Sequence, residues 1–347
     1  MNLNDRIELV SELGQFFKKY LDTNYDNTND DNLIAFEKTI QQGKLNNPWF
    51  TDQNMKVNLS YWAEKLNKYD LTQWMNNYDT MNVSSKSVAI IMAGNIPLVG
   101  IHDFLSVFLC GHNSIIKLSS NDKHILPFLT NLMISINNEL SKKIIYIEGK
   151  LQGYDAVIAT GSNNTSRYFE YYFKNKKSII RKNRNSIAVL DGSENEDDLS
   201  LLGDDIFTYF GLGCRSISKL YVPENYCFDL FFNSIFKWND LINSHKYANN
   251  YDYNKAIYLM SEYKFFDNGF FMVKEGSELY SPISTINYEF YNDISTLKQK
   301  IKDDEKDIQC IVSNTEIENK INFGETQKPS LSQYADNIDV VEFLLTI

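Results

Sequence analysis

The stretch SVAIIMAGNIPLVGIHDFLSVFLCGHNSIIKLSS, residues 87–120, decides the fold. SVAIIMAG is a short apolar run closed by a glycine, the pattern of a buried strand. LVGIHDFLSVFLCG then has helical length and ends at Gly111, and SIIKL returns to strand. Downstream the alternation continues through a helix in DKHILPFLTNLMISINNEL and strands in KIIYIEG and YDAVIATG. A polar helix start at Ser162 to Arg167 follows, leading into RYFEYYF and then a strand in SIAVLDG. Strand and helix at this interval predict parallel βαβ units in a doubly wound α/β sheet, with a ligand at the C-terminal ends of the strands.

Upstream, residues 1 to about 83 alternate helical patterning with Asn/Asp-rich turns such as NYDNTNDDN, read as packed helices that carry little chemistry. The opening MNLNDRIELVSELGQFFKKYL has apolar residues at Ile7, Val10, Leu13, Phe16 and Phe17, an amphipathic helix rather than a signal peptide. Beyond about residue 199, LLGDDIFTYFGLGCRSISKLYVPENY reads as helix, turn and strand, and the chain closes on a strand-like VVEFLLTI. The charged run KQKIKDDEKD reads as a solvated helix end. The expected division is therefore a first domain over residues 1–198 and a second over 199–347.

A net charge of −11, from 45 acids against 34 bases, disfavours nucleic acid or an anionic membrane as main partner, since both require concentrated positive potential. No run of about 18 apolar residues predicts a transmembrane helix. Cys110, Cys214, Cys227 and Cys310 form no CxxC pair and have no histidine at ligand spacing, which argues against zinc or a disulfide framework and for reduced thiols in a cytoplasm. His102, His112, His124 and His245 show no triad or metal spacing and read as structural.

Chemistry concentrates in YFGLGCRSISKLYVP, where Cys214 sits in a Gly-x-Gly turn between a helix and an apolar strand. Gly211 and Gly213 permit close approach of substrate, and the Cys214 N–H can face a developing oxyanion. Taken alone, a Gly-Cys pair is more often a packed, inert thiol. Cys110, inside an apolar helix, reads as core.

FGLGC followed by RSISKLYV resembles the nucleophile segment of the aldehyde dehydrogenases, and three further segments match that superfamily in order. VAIIMAGNIPLVGIHDFLSVFLCGHNSIIKLSS resembles its strand, N-x-P-L turn, helix and lysine-bearing strand; AVIATGSNNTSRYF resembles its phosphate turn; ELYSPIS resembles its E-x-F-G-P segment. Within the superfamily, GNIPLVGIHDFLSV, ATGSNNTSRYFEYYF, RKNRNS and DIFTYFGLGCRSISKLYVP are similar to the acyl-CoA or acyl-protein thioester reductases, the reductase component of luminescence-type fatty-acid reductase complexes and their non-luminous relatives.

The resemblance implies a first domain that binds a nicotinamide cofactor and a catalytic second domain. It implies Cys214 as the nucleophile and Asn95 as the side-chain amide that stabilises the thiohemiacetal oxyanion. Lys117 falls on the lysine that hydrogen-bonds the adenosine ribose, and Gly161 and Ser162 on the pyrophosphate turn, where Ser166 replaces a later glycine. Glu278 falls on the glutamate that contacts the nicotinamide ribose. Ser120 stands where NAD-selective relatives often carry a glutamate, which favours NADPH with NADH possible.

Hydrolytic relatives also carry a general-base glutamate where this chain has Arg181, so no base stands there to activate water. The implied activity is NADPH-dependent reduction of a fatty-acyl thioester to the fatty aldehyde through an acyl-Cys214 thioester. Arg181, Lys182 and Arg184 read either as positive potential for phosphates or as a solvated loop. The implied partners are fatty-acyl-CoA or an acyl-carrier or acyl-activating enzyme, in a homo- or hetero-oligomer. Two other readings stay open: an aldehyde dehydrogenase forming acid or acyl-CoA, and a catalytically silent scaffold for an acyl-activating partner.

Overall fold

The computed structural model describes residues 1–23, 28–80 and 83–347, so the start of the NYDNTNDDN turn, residues 24–27, lies outside the described residues. The chain divides into two compact units, Met1–Lys182 with Ser330–Ile347, and Asn183–Pro329. The fold is mixed α/β with two largely parallel sheets.

The first unit opens with four helices, α1 (Leu3–Asp22), α2 (Asp31–Asn46), α3 (Asp52–Lys65) and α4 (Lys68–Met75). Asn2 and Asp5 form a capping box on α1, and Ile7, Val10, Leu13 and Phe17 are buried along one face of it, as the periodicity predicts. Strand β1 (Ser87–Ile91), helix α5 (Ile101–Leu109), β2 (Asn113–Lys117), α6 (Ile125–Ile136), β3 (Ile144–Tyr146), β4 (Ala156–Thr160), α7 (Asn163–Phe173) and β5 (Lys177–Arg181) follow. The five strands are parallel in the order β3-β2-β1-β4-β5, which reverses direction beside β1 and so creates a doubly wound switch point. β5 was not legible in the sequence: an edge strand with charges at both ends, its KSIIR has only Ile179 and Arg181 buried. In RYFEYYF, Phe169 and Phe173 pack inward while Tyr168, Tyr171 and Tyr172 are exposed.

The second unit contains β6 (Asn185–Val189), α8 (Glu196–Phe207), β7 (Ile217–Pro223), α9 (Asp229–Ser234), α10 (His245–Met260), β8 (Phe265–Asp267), β9 (Met272–Glu275), β10 (Thr285–Tyr291), α11 (Ile294–Asp303), β11 (Ile308–Ser313) and β12 (Lys320–Ile321). Its sheet runs β12-β11-β6-β7-β10-β9-β8, parallel except for the β8–β9 pair. The run KQKIKDDEKD spans the exposed end of α11, as expected.

The expected boundary after residue 198 instead falls between Lys182 and Asn183. The cause is register: the SIAVL strand is β6, hydrogen-bonded between β7 and β11, so it belongs to the second sheet. The C-terminal segment also departs from expectation, because VVEFLLTI forms a helix, α12 (Val340–Leu345), that packs in the first unit. Asp339 caps it by accepting from the Glu342 N–H at 2.9 Å, and Val340, Val341 and Leu344 are buried at helical spacing. Two histidines anchor this tail: His102 Nε2 lies 2.9 Å from Leu331 O, and His112 Nε2 lies 3.0 Å from Leu344 O. His112 Nδ1 accepts from the Lys86 N–H at 3.1 Å, so Nε2 carries the proton and donates. The structural reading of these two histidines therefore holds.

Candidate active site

Helix α8 begins on an Asn195/Asp198 capping box and ends at Phe207, and the backbone then turns left-handed at three consecutive residues. Tyr209 has φ 57°, Phe210 φ 58° and Gly211 φ 73°. Gly211 adopts this freely, whereas each aromatic carries about 1–2 kcal/mol of backbone strain. Burial of both aromatic rings holds them there. Leu212 N–H closes onto Tyr209 O at 3.1 Å and Ser216 N–H onto Gly213 O at 3.0 Å, leaving Cys214 exposed at the crest.

The turn is clamped from several sides. Ser186 Oγ, at the start of β6, donates to Cys214 O at 2.9 Å. Arg215 Nε donates to Thr326 O, and Gln327 Nε2 to Ser216 Oγ at 3.3 Å. The same 324–326 segment is gripped by Asp205 of α8, whose buried carboxylate accepts from Gly324 N–H at 2.7 Å, Thr326 N–H at 3.0 Å and Thr326 Oγ1 at 2.7 Å. Burial outweighs these donors and pushes the Asp205 carboxyl up to about 6. The residue after Cys214 and the helix before it are thus tied to one segment.

Among the other cysteines, burial pushes the Cys110 thiol up to about 12 and raises Cys310, so both are poor nucleophiles at neutral pH. Cys227 is exposed but lies outside this turn.

Glu278 is exposed on the segment joining β9 to β10. Ser218 Oγ donates to Leu279 O at 2.8 Å and Ser281 Oγ to Ser218 O at 2.7 Å, which fixes that segment to the strand that begins just after Cys214. Asn287 Nδ2 donates to Glu278 O at 3.2 Å and to Tyr280 O at 2.8 Å. Fully buried Lys219 donates to Gly276 O and meets Glu289 Oε2 at 3.1 Å; burial lowers its pKa.

In the first unit, Asn95, Lys117, Ser120, Gly161 and Ser162 all follow or end strands β1, β2 and β4, so the parallel sheet brings them to one edge. Asn95 is exposed in the turn after β1. Lys117 Nζ donates to Gly149 O at 3.0 Å, and Ser120 O accepts from Asn46 Nδ2 at 2.6 Å. Ser162 is the N-cap of α7, its Oγ accepting from the Thr165 N–H at 3.3 Å. A Cβ on Gly161 would stand 3.0 Å from Phe169 Cε2, so glycine lets the turn lie flush on its helix.

Arg181 corrects the reading of a basic patch. It is buried in a bidentate pair with Asp103 of α5, at 2.5 and 2.8 Å, and supplies no open positive potential. Lys182 pairs with Glu170 at 2.7 Å, and Arg184 Nη1 donates to Ile308 O at 3.4 Å. Phe207 packs with Trp238, Phe270 and Phe271 in the core of the second unit.

Sequence reasoning missed Asp205, Ser186, Asn287 and Lys219, each a polar side chain buried or half-buried among apolar neighbours. The available signal was their position: Lys219 interrupts the apolar run ISKLYV and Asp205 the buried face of α8. Among the described residues, no group of three or more His, Cys, Asp or Glu side chains could hold a metal, and no helix is long and apolar enough to cross a membrane.

Residues 3–229 match the family model described as Acyl-CoA reductase (LuxC). No curated protein matches the chain significantly. Solved structures of similar fold are aldehyde dehydrogenases and related enzymes. Aldehyde dehydrogenase 21 of Physcomitrella patens, solved with the reaction product succinate, is 12% identical with a TM-score of 0.69, over 100% of this chain and 84% of its own. An indole-3-acetaldehyde dehydrogenase of P. syringae, solved with NAD+ and IAA, is 10% identical with a TM-score of 0.65, over 90% and 72%. An NADP-dependent enzyme of E. coli is 12% identical with a TM-score of 0.64, over 91% and 74%. At these identities the likeness shows an aldehyde-dehydrogenase fold.

Proposed function

This chain belongs to the acyl-CoA reductase (LuxC) family, and from that premise we propose that it reduces a fatty-acyl thioester to the aldehyde, with NADPH, through an acyl-enzyme on Cys214. The observation that carries the proposal is the Cys214 turn: an exposed thiol three residues after a strained, left-handed stretch, in a segment that Ser186, Arg215 and Asp205 hold in place. Strain of this kind persists where the surroundings over-determine the geometry, and it concentrates at functional sites.

The Cys214 thiolate attacks the carbonyl carbon of the donor thioester, and the donor sulfur leaves and takes up a proton. The Cys214 N–H and the Asn95 side-chain amide donate to the oxyanion. The residues at the edge of the first sheet fit a dinucleotide: the positive end of α7 with Ser162 for the pyrophosphate, and Lys117 for the ribose. Ser120 is exposed there, which suits the extra phosphate of NADPH, and Glu278 serves the nicotinamide ribose. A reduced nicotinamide nucleotide supplies the hydride when bound. Collapse of the thiohemiacetal on Cys214 then releases aldehyde and restores the thiol.

With Arg181 committed to Asp103, position 181 offers no base to activate water, which supports reduction over hydrolysis to acid. We propose a fatty-acyl-CoA or an acyl-activating enzyme as the acyl donor, with a hetero-oligomer in the second case, in the cytoplasm.

The test is NADPH-dependent aldehyde formation from a long-chain acyl-CoA, with intact-protein mass measured for the wild type and Cys214→Ala. Adduct and turnover are expected in the wild type and absent in the variant. Acid as the sole product would select the dehydrogenase reading, and an unchanged variant in an assembled pathway would select the scaffold.

A further inference from the structure

We infer that the helices preceding the first strand position the oxyanion asparagine, with Asn47 and Asn58 as positioning residues for Asn95. The inference rests on the assignment of Asn95 made above. By sequence these helices carry little chemistry, yet two of their side chains reach the backbone on either side of Asn95. Asn47, at the end of α2, donates from Nδ2 to Gly94 O at 3.1 Å. Asn58, on α3, donates from Nδ2 to Pro97 O at 2.9 Å. A third support comes from the loop after β2, where Asp122 Oδ2 accepts from the Leu98 N–H at 2.9 Å.

The turn held in this way is not one the backbone adopts by preference. Leu98 is left-handed at φ 53°, and Gly94 lies so close to the loop after β2 that a Cβ there would stand 2.7 Å from Ser119 Oγ. Three side chains therefore fix a turn of five residues with Asn95 as its exposed member. Asn47 is itself fixed, since its Oδ1 accepts from the Trp49 N–H at 3.2 Å.

Asn58 is a polar side chain in an apolar setting. It is 6% exposed, on the face of α3 that also buries Met55, Leu59 and Trp62. Its Oδ1 makes no hydrogen bond among the described residues. The unmet acceptor keeps its desolvation cost and offsets part of what the donor contributes by satisfying the buried Pro97 carbonyl. What the amide does provide is one directed donor to Pro97 O, two residues from Asn95. An oxyanion donor acts through placement, and about 1 Å of misplacement costs up to roughly a hundredfold in rate.

The experiment compares two reactions of Cys214 in the full chain. Acylation by a long-chain acyl-CoA passes through an oxyanion; alkylation by iodoacetamide, a direct displacement, does not. Asn95→Ala, Asn58→Leu and Asn47→Ser are each expected to slow acylation about tenfold to a hundredfold and to leave alkylation within about twofold of the wild type. Because Asn58 acts through Asn95, the Asn58→Leu/Asn95→Ala pair is expected to be no slower than Asn95→Ala alone, a non-additivity that a general loss of stability would not produce. Wild-type acylation by both Asn58→Leu and Asn47→Ser, beside a slow Asn95→Ala, overturns the inference. Wild-type acylation by Asn95→Ala overturns the assignment beneath it. Should Asn58→Leu not fold, Asn47→Ser decides the same question.

Discussion

Replacing Asp205 by asparagine separates the charge of this side chain from its shape. The buried carboxylate accepts three hydrogen bonds from the 324–326 segment, yet its pKa is pushed up to about 6 from an ordinary 3.8. A folded pKa above the unfolded one means that the native state holds the proton more tightly, so the wild type loses stability as pH rises from about 4 to about 6 and beyond. Integrating the two titrations between pH 5 and pH 7.5 gives a loss of about 1.4 kcal/mol, or a melting temperature lower by about 2 °C for a chain of this length. An amide does not titrate, so Asp205→Asn is expected to lose this pH dependence and gain on the wild type by that amount across the window, from a starting stability lowered because its nitrogen cannot accept from the Gly324 N–H while its oxygen keeps the two Thr326 donors. Asp205→Ala removes both acceptor oxygens and with them three hydrogen bonds, stranding buried donors of the 324–326 segment, and is expected to lose about 1–3 kcal/mol at pH 7.5. It also frees the segment that anchors Arg215, so iodoacetamide should alkylate Cys214 at a changed rate in the alanine variant, and at a rate closer to native in the asparagine variant, whose oxygen still holds Thr326. Thermal melts at the two pH values and the alkylation rate check both halves. Parallel pH profiles for wild type and Asp205→Asn would refute the raised pKa, and native alkylation in Asp205→Ala would refute the clamp.

Arg181→Met should cost about 3–5 kcal/mol by stranding the buried Asp103 carboxylate, whereas Asp103→Leu/Arg181→Met should recover most of it; urea unfolding reads both. Burial lowers the His102 and His112 pKa values, so their contribution is present above pH 6.5 and lost as pH falls through the folded values. Proteolysis or hydrogen exchange of residues 330–347 should accelerate on that descent, and less steeply in His112→Gln. Ser120→Glu should raise KM for NADPH and favour NADH, measured as the ratio of kcat/KM for the two cofactors.

The first sheet was legible because each strand is a compact apolar run closed by a glycine or polar turn, and SVAII, SIIKL and AVIAT fall on β1, β2 and β4. β5 was hidden because an edge strand needs only one apolar face, and Lys177 and Arg181 end it with charges. The domain boundary is not legible in the sequence, because β6 has the same local pattern whichever sheet it joins; pairing with β7 and β11 is a long-range choice. VVEFLLTI has a strand's composition, but the Asp339 cap and burial against the first unit make it a helix, tertiary packing overriding propensity. For the site, the Gly-x-Gly turn pointed to Cys214, but the left-handed Tyr209 and Phe210 had no sequence signal, since aromatic residues rarely adopt that backbone. Asn47 and Asn58 carry no signal of their own, because an asparagine at a helix end reads as a cap and one within a helix as a surface residue; the role we assign to them rests on their hydrogen bonds to Gly94 and Pro97.

The absence of a base at position 181 is built into the packing of the first unit. Arg181 ends β5, and Asp103 lies in the first turn of α5, the helix that the Asn95 turn leads into. Their bidentate contact therefore ties an edge strand to the segment that presents the proposed oxyanion donor. A single change of Arg181 to glutamate would not recreate a hydrolytic site. It would set a second carboxylate against a buried Asp103 in place of its counter-ion, and two enclosed carboxylates at that range cannot both ionise. One would take up a proton, and the new group would either fail as a base or unfold the contact. Acquiring a base there requires Asp103 to change as well, so under the proposed mechanism a thioester on Cys214 is protected from water by a coupled pair of residues rather than by one.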